Sequence, residues 1–229
     1  TGAWFDVARV DSLSIFLLFF GVYSMESPNF VVRLVLAPLL LFLAFFTKQT
    51  ALIVGIFACI WWAYSETGRN RYIGPLIFLS LLFASTLGLH YLTDGWYTYY
   101  IFVLPSEHDI RIQMVYKFFT DDILNNIGLA FLVILLGLHW QLLDRDYKQF
   151  LFDLGIVSTI VTISWGSRLN WGGHVNVLIP AYGIIILLYG VGIGKLAHTL
   201  HANRRGLVTL YFLVNLQFVT LFYSPISMI

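Results

Sequence analysis

Four stretches of this chain, Ile73 to Leu92, Ile123 to Gln141, Val175 to Gly194 and Leu207 to Tyr223, contain no Asp, Glu, Lys or Arg. A bilayer core about 30 Å thick is crossed by about 20 apolar helical residues, so each of these runs predicts a membrane-spanning helix. Phe150 to Gly166 is a fifth, with Asp153 near one end where a carboxylate can reach the headgroups. Ser12 to Ser24, Leu34 to Phe46 and Gln49 to Ser65 are shorter and read as tilted or incomplete spans. Strands of a membrane barrel alternate apolar and polar residues, whereas segments such as LVILLGL and IIILLYG are continuous. The expected fold is therefore all-α: a polytopic transmembrane bundle of about eight helices, taken as a single domain over residues 1–229.

Composition sharpens the exclusions. Only 11% of the 229 residues are charged and 59% are hydrophobic, which rules out a soluble domain and a disordered segment. The net charge of +1 gives nucleic acid no electrostatic purchase, so membrane lipids are the expected surroundings. Cys59 is the single cysteine, which excludes an intramolecular disulfide and a cysteine-based metal site. The amino end, TGAWFDVARVDS, has neither an initiator Met nor the basic and apolar regions of a signal peptide, and the chain is expected to begin within a longer protein.

Alternating helices put the connections 26–33, 66–72, 142–149 and 195–206 on one side. Those connections carry eight of the 13 basic residues, and that side is expected to be cytoplasmic. The opposite side has a net charge of −2, leaving +3 inside. In the long connection 93–122, Ile110, Met114, Val115 and Phe118 fall at helical spacing, which suits either a short helix lying on the membrane surface or a packed loop.

The non-cytoplasmic side is chemically richer, because ARVDS, TKQT, HYLTDGWYTYY and SRLNWGGHVN all reach it. Polar groups at this level need a cavity, a partner or interfacial water, since lipid offers no hydrogen bonds. Lys48 interrupts an apolar stretch beside Gln49; it either snorkels from a hairpin tip or binds an anion. Arg9 and Asp11 can form an ion pair at a helix start, with Asp11 or Ser12 as cap. His90 and Asp94 would share a helix face if that helix continued, and Glu107 and His108 follow Pro105. No HExxH or comparable pattern accompanies them, so no metal or cofactor is assigned. Trp96 and Tyr97, with Tyr99 and Tyr100, read as an interfacial aromatic belt or as faces for a sugar ring. Arg168, His174 and Asn176 surround Trp171 and two glycines. That segment is either a polar turn between spans or a phosphate-binding turn, guanidinium being suited to bidentate phosphate contacts.

The ordered series ARVDSLSIFLLFFG, FLAFFTKQTAL, GWYTYYIFVLPSEH and GGHVNVLIPAYG resembles bacterial polytopic glycosyltransferases of the GT-C superfamily, the group related to protein O-mannosyltransferases and to glycosyltransferase family 39. The resemblance extends over nearly the whole chain. It implies a multi-pass enzyme of the bacterial inner membrane that takes a sugar from a polyprenyl-phosphate donor. The acceptor, a lipid, glycan or protein, would lie on the non-cytoplasmic face. The resemblance also implies an acidic catalytic base in the first external loop, expected before Thr1, with Asp11 as the candidate near where that loop would end. Carried over as members of the external site are Arg9 and Asp11, Lys48 and Gln49, Glu107 and His108, and Asn176. Lys48 and Arg168 are the expected partners of the leaving lipid phosphate, and Trp96, Tyr97 and Trp171 of the sugar. A polyprenol-linked sugar flippase or secondary transporter is the competing expectation, and a noncatalytic membrane subunit the third.

Overall fold

The computed structural model describes residues 10–171, 173–200 and 204–222. Every apolar run is helical: α1 (Val10–Met25), α2 (Ala37–Thr47), α3 (Leu52–Ser65), α4 (Asn70–Leu92), the short α5 (Trp96–Thr98) and α6 (Met114–Lys117), α7 (Asn125–Leu143), α8 (Tyr147–Leu169), α9 (Ile179–Leu200) and α10 (Arg204–Phe222). Helix satisfies each backbone group within its own segment, which is what a chain this apolar requires in lipid. Among the described residues, Asn70–Leu92, Met114–Leu143, Tyr147–Leu169 and Val175–His198 are long and apolar enough to cross a membrane. Three shorter apolar helices, Asp11–Met25, Val32–Thr47 and Gln49–Ser65, precede them. The chain is thus an all-α, multi-pass membrane protein. The expected span Leu207 to Tyr223 falls on α10, with Tyr223 outside the described residues.

The chain forms two compact units. One runs to Ile110 and takes in Asn170 and Trp171; the other comprises Arg111–Leu169 and the described residues from Gly173 on.

In the amino-terminal unit, α2 enters through a π-helical turn, Val32–Leu36, and packs along α1. Glycines set the approach of α3 and α4. A Cβ at Gly55 would stand 2.0 Å from Phe78 Cζ, and one at Gly74 would stand 2.7 Å from the Trp62 ring. Phe78 and Trp62 are fully buried, so each ring fills the hollow a glycine leaves on the facing helix. At one end of this unit Arg33 Nε donates to Glu66 Oε1 at 2.6 Å and Arg33 Nη1 donates to the Ser27 carbonyl at 2.7 Å. Connections 26–33 and 66–72 therefore share an end, as the alternation of helices requires.

The carboxy-terminal unit packs α9 against α7 and α8, with α10 against α7. The short helix expected along the membrane surface is instead the first turn of a longer run. Met114–Lys117 passes through a π-helical stretch, Phe118–Leu124, directly into α7. Phe118, where the π-helical stretch begins, is fully buried, whereas Ile110 and Val115 of the same expected face are exposed.

Gly55→Val should drive two methyl groups into the Phe78 ring and lower stability by about 1–3 kcal/mol. Thermal unfolding in detergent measures the loss, and a midpoint equal to that of the unaltered protein would contradict the glycine packing described.

Candidate functional site

Lys48 sits where α2 stops. Its backbone is extended, with φ −152° and ψ 115°, between the last turn of α2 and the 3-10 turn Gln49–Ala51. This break lets α2 and α3 turn back on each other and carries the ammonium to Asp11, in the first turn of α1, with which it forms an ion pair. Asp11 thus lies inside the helix rather than at its cap, and Arg9, its expected partner, lies outside the described residues. Gln49 opens the 3-10 turn and is half-buried.

The His90–Asp94 face does not form. Helix α4 ends at Leu92, and Asp94 and Gly95 both take left-handed backbone conformations, φ 48° and 86°. Glycine accepts that conformation without cost, which makes Gly95 the pivot of the turn. His90 Nδ1 meets Thr98 Oγ1 at 2.8 Å instead. Trp96 is exposed and stacks on Tyr100 with ring centroids 5.8 Å apart. The Tyr97 amide donates to Thr93 Oγ1 at 2.9 Å, and burial raises the pKa of the Tyr97 phenol. Glu107 and His108 are exposed, and Tyr99 Oη donates to Glu107 Oε2 at 3.4 Å. Trp171 joins this unit through its own amide, which donates to the Asp109 carbonyl at 3.2 Å, beside an antiparallel bridge between Ile110 and Asn170.

In the carboxy-terminal unit the end of α8 is the best-built polar site. Arg168 Nε donates to Asp122 Oδ2 at 2.9 Å, and both side chains are 15% exposed. Arg168 Nη1 donates to the Gly173 carbonyl at 2.8 Å, and Arg111 Nη2 reaches the same oxygen at 3.1 Å. Two guanidinium groups thus converge on one carbonyl at the mouth of the turn leading to His174 and Asn176. His174 is exposed and immediately precedes the 3-10 turn Val175–Leu178, which contains the half-buried Asn176.

Asp122 anchors two residues that the sequence did not single out, and a third, Gln217, joins them through Asn126. Tyr182 Oη donates to the Asp122 carbonyl, and Asn126 Nδ2 donates to the carbonyls of Asp121 and Asp122, each at 3.0 Å. Just beyond, Ile127 leaves the helical conformation, with φ −134° and ψ 27°. The break sits where the Ala130 amide would meet the Asn126 carbonyl, the i to i−4 bond of a regular helix. Gln217 of α10 bridges the two groups instead: Ala130 N donates to its Oε1 at 3.0 Å, and its Nε2 donates to the Asn126 carbonyl at 3.1 Å. A side-chain amide carries one donor and one acceptor group, the pair needed to stand in for a missing backbone link. The signal in the sequence was an amide inside an apolar run, although nothing there tied Gln217 to residue 126.

A second polar centre lies at the other end of this unit. Asp153, expected to reach the headgroups, is buried, and its carboxylate accepts from Gln141 Nε2 at 2.6 Å and from Gln149 Nε2 at 2.9 Å. Among the described residues no three His, Cys, Asp or Glu side chains stand close enough together to hold a metal ion. No family model, curated protein or solved structure matches the chain.

Gln217→Met should leave the Asn126 carbonyl and the Ala130 amide unpaired in a buried place. Each such group costs about 1–3 kcal/mol, so the melting point should fall well below that of a Leu213→Met control on the same helix. Equal melting points for the two variants would contradict the bridging role.

Proposed function

We propose that the chain is a GT-C-type membrane glycosyltransferase, passing a sugar from a polyprenyl-phosphate carrier to an acceptor at the non-cytoplasmic face. The observation that carries this reading is the convergence of Arg111 and Arg168 on the Gly173 carbonyl, at 3.1 and 2.8 Å. Guanidinium is weakly hydrated and presents donors in a fixed fork, which suits it to a phosphate at headgroup level. When the bond from sugar to phosphate oxygen breaks, negative charge develops on the departing lipid phosphate. Donors already fixed at that point lower the barrier without having to reorganise.

Arg168 is the central binding group in this scheme, with Arg111 beside it; a phosphate oxygen would replace the Gly173 carbonyl as their acceptor. The acceptor hydroxyl must lose its proton to an acidic base, the role the family resemblance gives to a carboxylate of an external loop. Lys48 and Arg168 each already have a carboxylate partner, Asp11 and Asp122, and what sets Arg168 apart is the second guanidinium, that of Arg111, aimed at the same oxygen. Trp96, with Tyr100 stacked on it, offers an exposed aromatic face of the kind that holds sugar rings. One rival draws on a specific feature: the interruption of α7 at Ile127 is the sort of broken helix from which secondary transporters build substrate sites.

In membranes supplied with a radiolabelled polyprenyl-phosphate hexose, Arg168→Gln should lower glycosyl transfer by about 100-fold or more, the scale of losing one fixed donor to a developing oxyanion. Lys48→Gln should retain most of the turnover. Unchanged transfer in Arg168→Gln would contradict the proposal, and movement of the intact lipid-linked sugar between leaflets without transfer would favour the transporter.

A further inference from the structure

We infer that the end of the carboxy-terminal unit opposite Arg168 carries a separate site for the headgroup of an ethanolamine phospholipid, which combines a primary ammonium with a phosphate. Asp153 and Arg168 lie 15 residues apart on α8, or about 22 Å at 1.5 Å per residue, so this site is independent of the proposed catalytic one.

The site begins with a buried amide. Gln141 is only 5% exposed, and its Nε2 is committed to the Asp153 carboxylate at 2.6 Å. That commitment fixes which way the amide faces, because the opposite orientation would set a carbonyl oxygen against a carboxylate. Gln141 Oε1 is therefore held on the far side of the amide from Asp153, and among the described residues it has no hydrogen-bond partner. A buried carbonyl without a donor costs about 1–3 kcal/mol, and an arriving N–H group would recover it.

Space for such a group adjoins it. Gln141 and Lys195 line both a small cavity of about 20 Å³, shared with Asp153, and a larger one of about 410 Å³. The smaller is about the size one water needs, and an ammonium is similar. The larger is also lined by Trp140, Asp144, Asp146 and His198. Asp146 is partly engaged, since its Oδ1 accepts from the Gln149 amide at 3.3 Å to begin α8; Asp144, the exposed residue that closes α7, also lines the cavity. The wall thus offers carboxylates and a carbonyl for an ammonium, and Lys195 for a phosphate.

Its level in the fold selects a lipid. The cavity lies where α7 ends at Leu143 and α8 begins at Tyr147, at the boundary of two spans. Trp140 at its rim is suited to the membrane interface, and Leu142 and Leu143 beside it are exposed, as acyl-chain neighbours would be. Phosphatidylcholine carries the same phosphate but no N–H, and it cannot satisfy Gln141.

The test is native mass spectrometry of the protein released from nanodiscs containing equal amounts of phosphatidylethanolamine and phosphatidylcholine with identical acyl chains. Retention of the ethanolamine lipid should exceed that of the choline lipid at least fivefold. Asp144→Asn and Gln141→Met should bring the ratio close to one, with folding checked by the melting point. Equal retention by the unaltered protein, or a preference that survives both substitutions, would overturn the inference. So would equal thermal stabilisation by soluble phosphoethanolamine in detergent, because the ligand would then need no membrane anchor.

Discussion

The ion pair between Asp122 and Arg168 organises the polar end of the carboxy-terminal unit. Each side chain is 15% exposed, in surroundings that provide few alternative partners, so each charge depends on the other. The pair fixes the end of α8 against the π-helical stretch that leads into α7, and the Asp122 carbonyl then receives Tyr182 from α9. Asn126 extends the network to the point where α7 loses its regular bonding, and Gln217 closes it from α10. Four segments distant in sequence meet through donors and acceptors that lipid could not replace. The irregular start of α7 is possible because this network supplies what the helix itself gives up.

Much of the helical layout was legible because solvation by lipid acts on each segment separately. A run such as Ile73 to Leu92 needs no neighbour to declare itself a span, and it occupies most of α4. Pairings between segments were not legible. Lys48 meets Asp11 across 37 positions, and Gln217 meets Asn126 across 91, with no periodicity linking either pair. Neither reading of Ile110 to Phe118, a surface helix or a packed loop, describes the helical run that begins at Met114, for a related reason. Its spacing is equally compatible with lying flat and with leading into a span, and the unbroken run Met114–Leu143 is the second of these.

The sites proposed at the two ends rest on opposite electrostatic conditions. Around the buried Gly173, two guanidinium groups gather on one carbonyl oxygen, the acceptor that an anionic oxygen would replace. Around Gln141, a carbonyl and neighbouring carboxylates outnumber the cation lining the same space, which suits an ammonium. Glutamine serves both regions, as a bridge across a broken helix at residue 217 and as an oriented acceptor at residue 141. In each case the amide is useful because it carries both hydrogen-bonding roles without the desolvation cost of a charge.

The central claim is that a lipid phosphate is gripped at the turn that joins α8 to α9. Its most direct measurement is the binding of polyprenyl phosphate, without sugar, to the purified protein and to a variant carrying both Arg111→Gln and Arg168→Gln, followed by native mass spectrometry across a lipid titration. The account predicts saturable binding of one lipid, weakened at least tenfold in the double variant, with binding of phosphatidylglycerol unaffected. Equal affinities in the two proteins would contradict it.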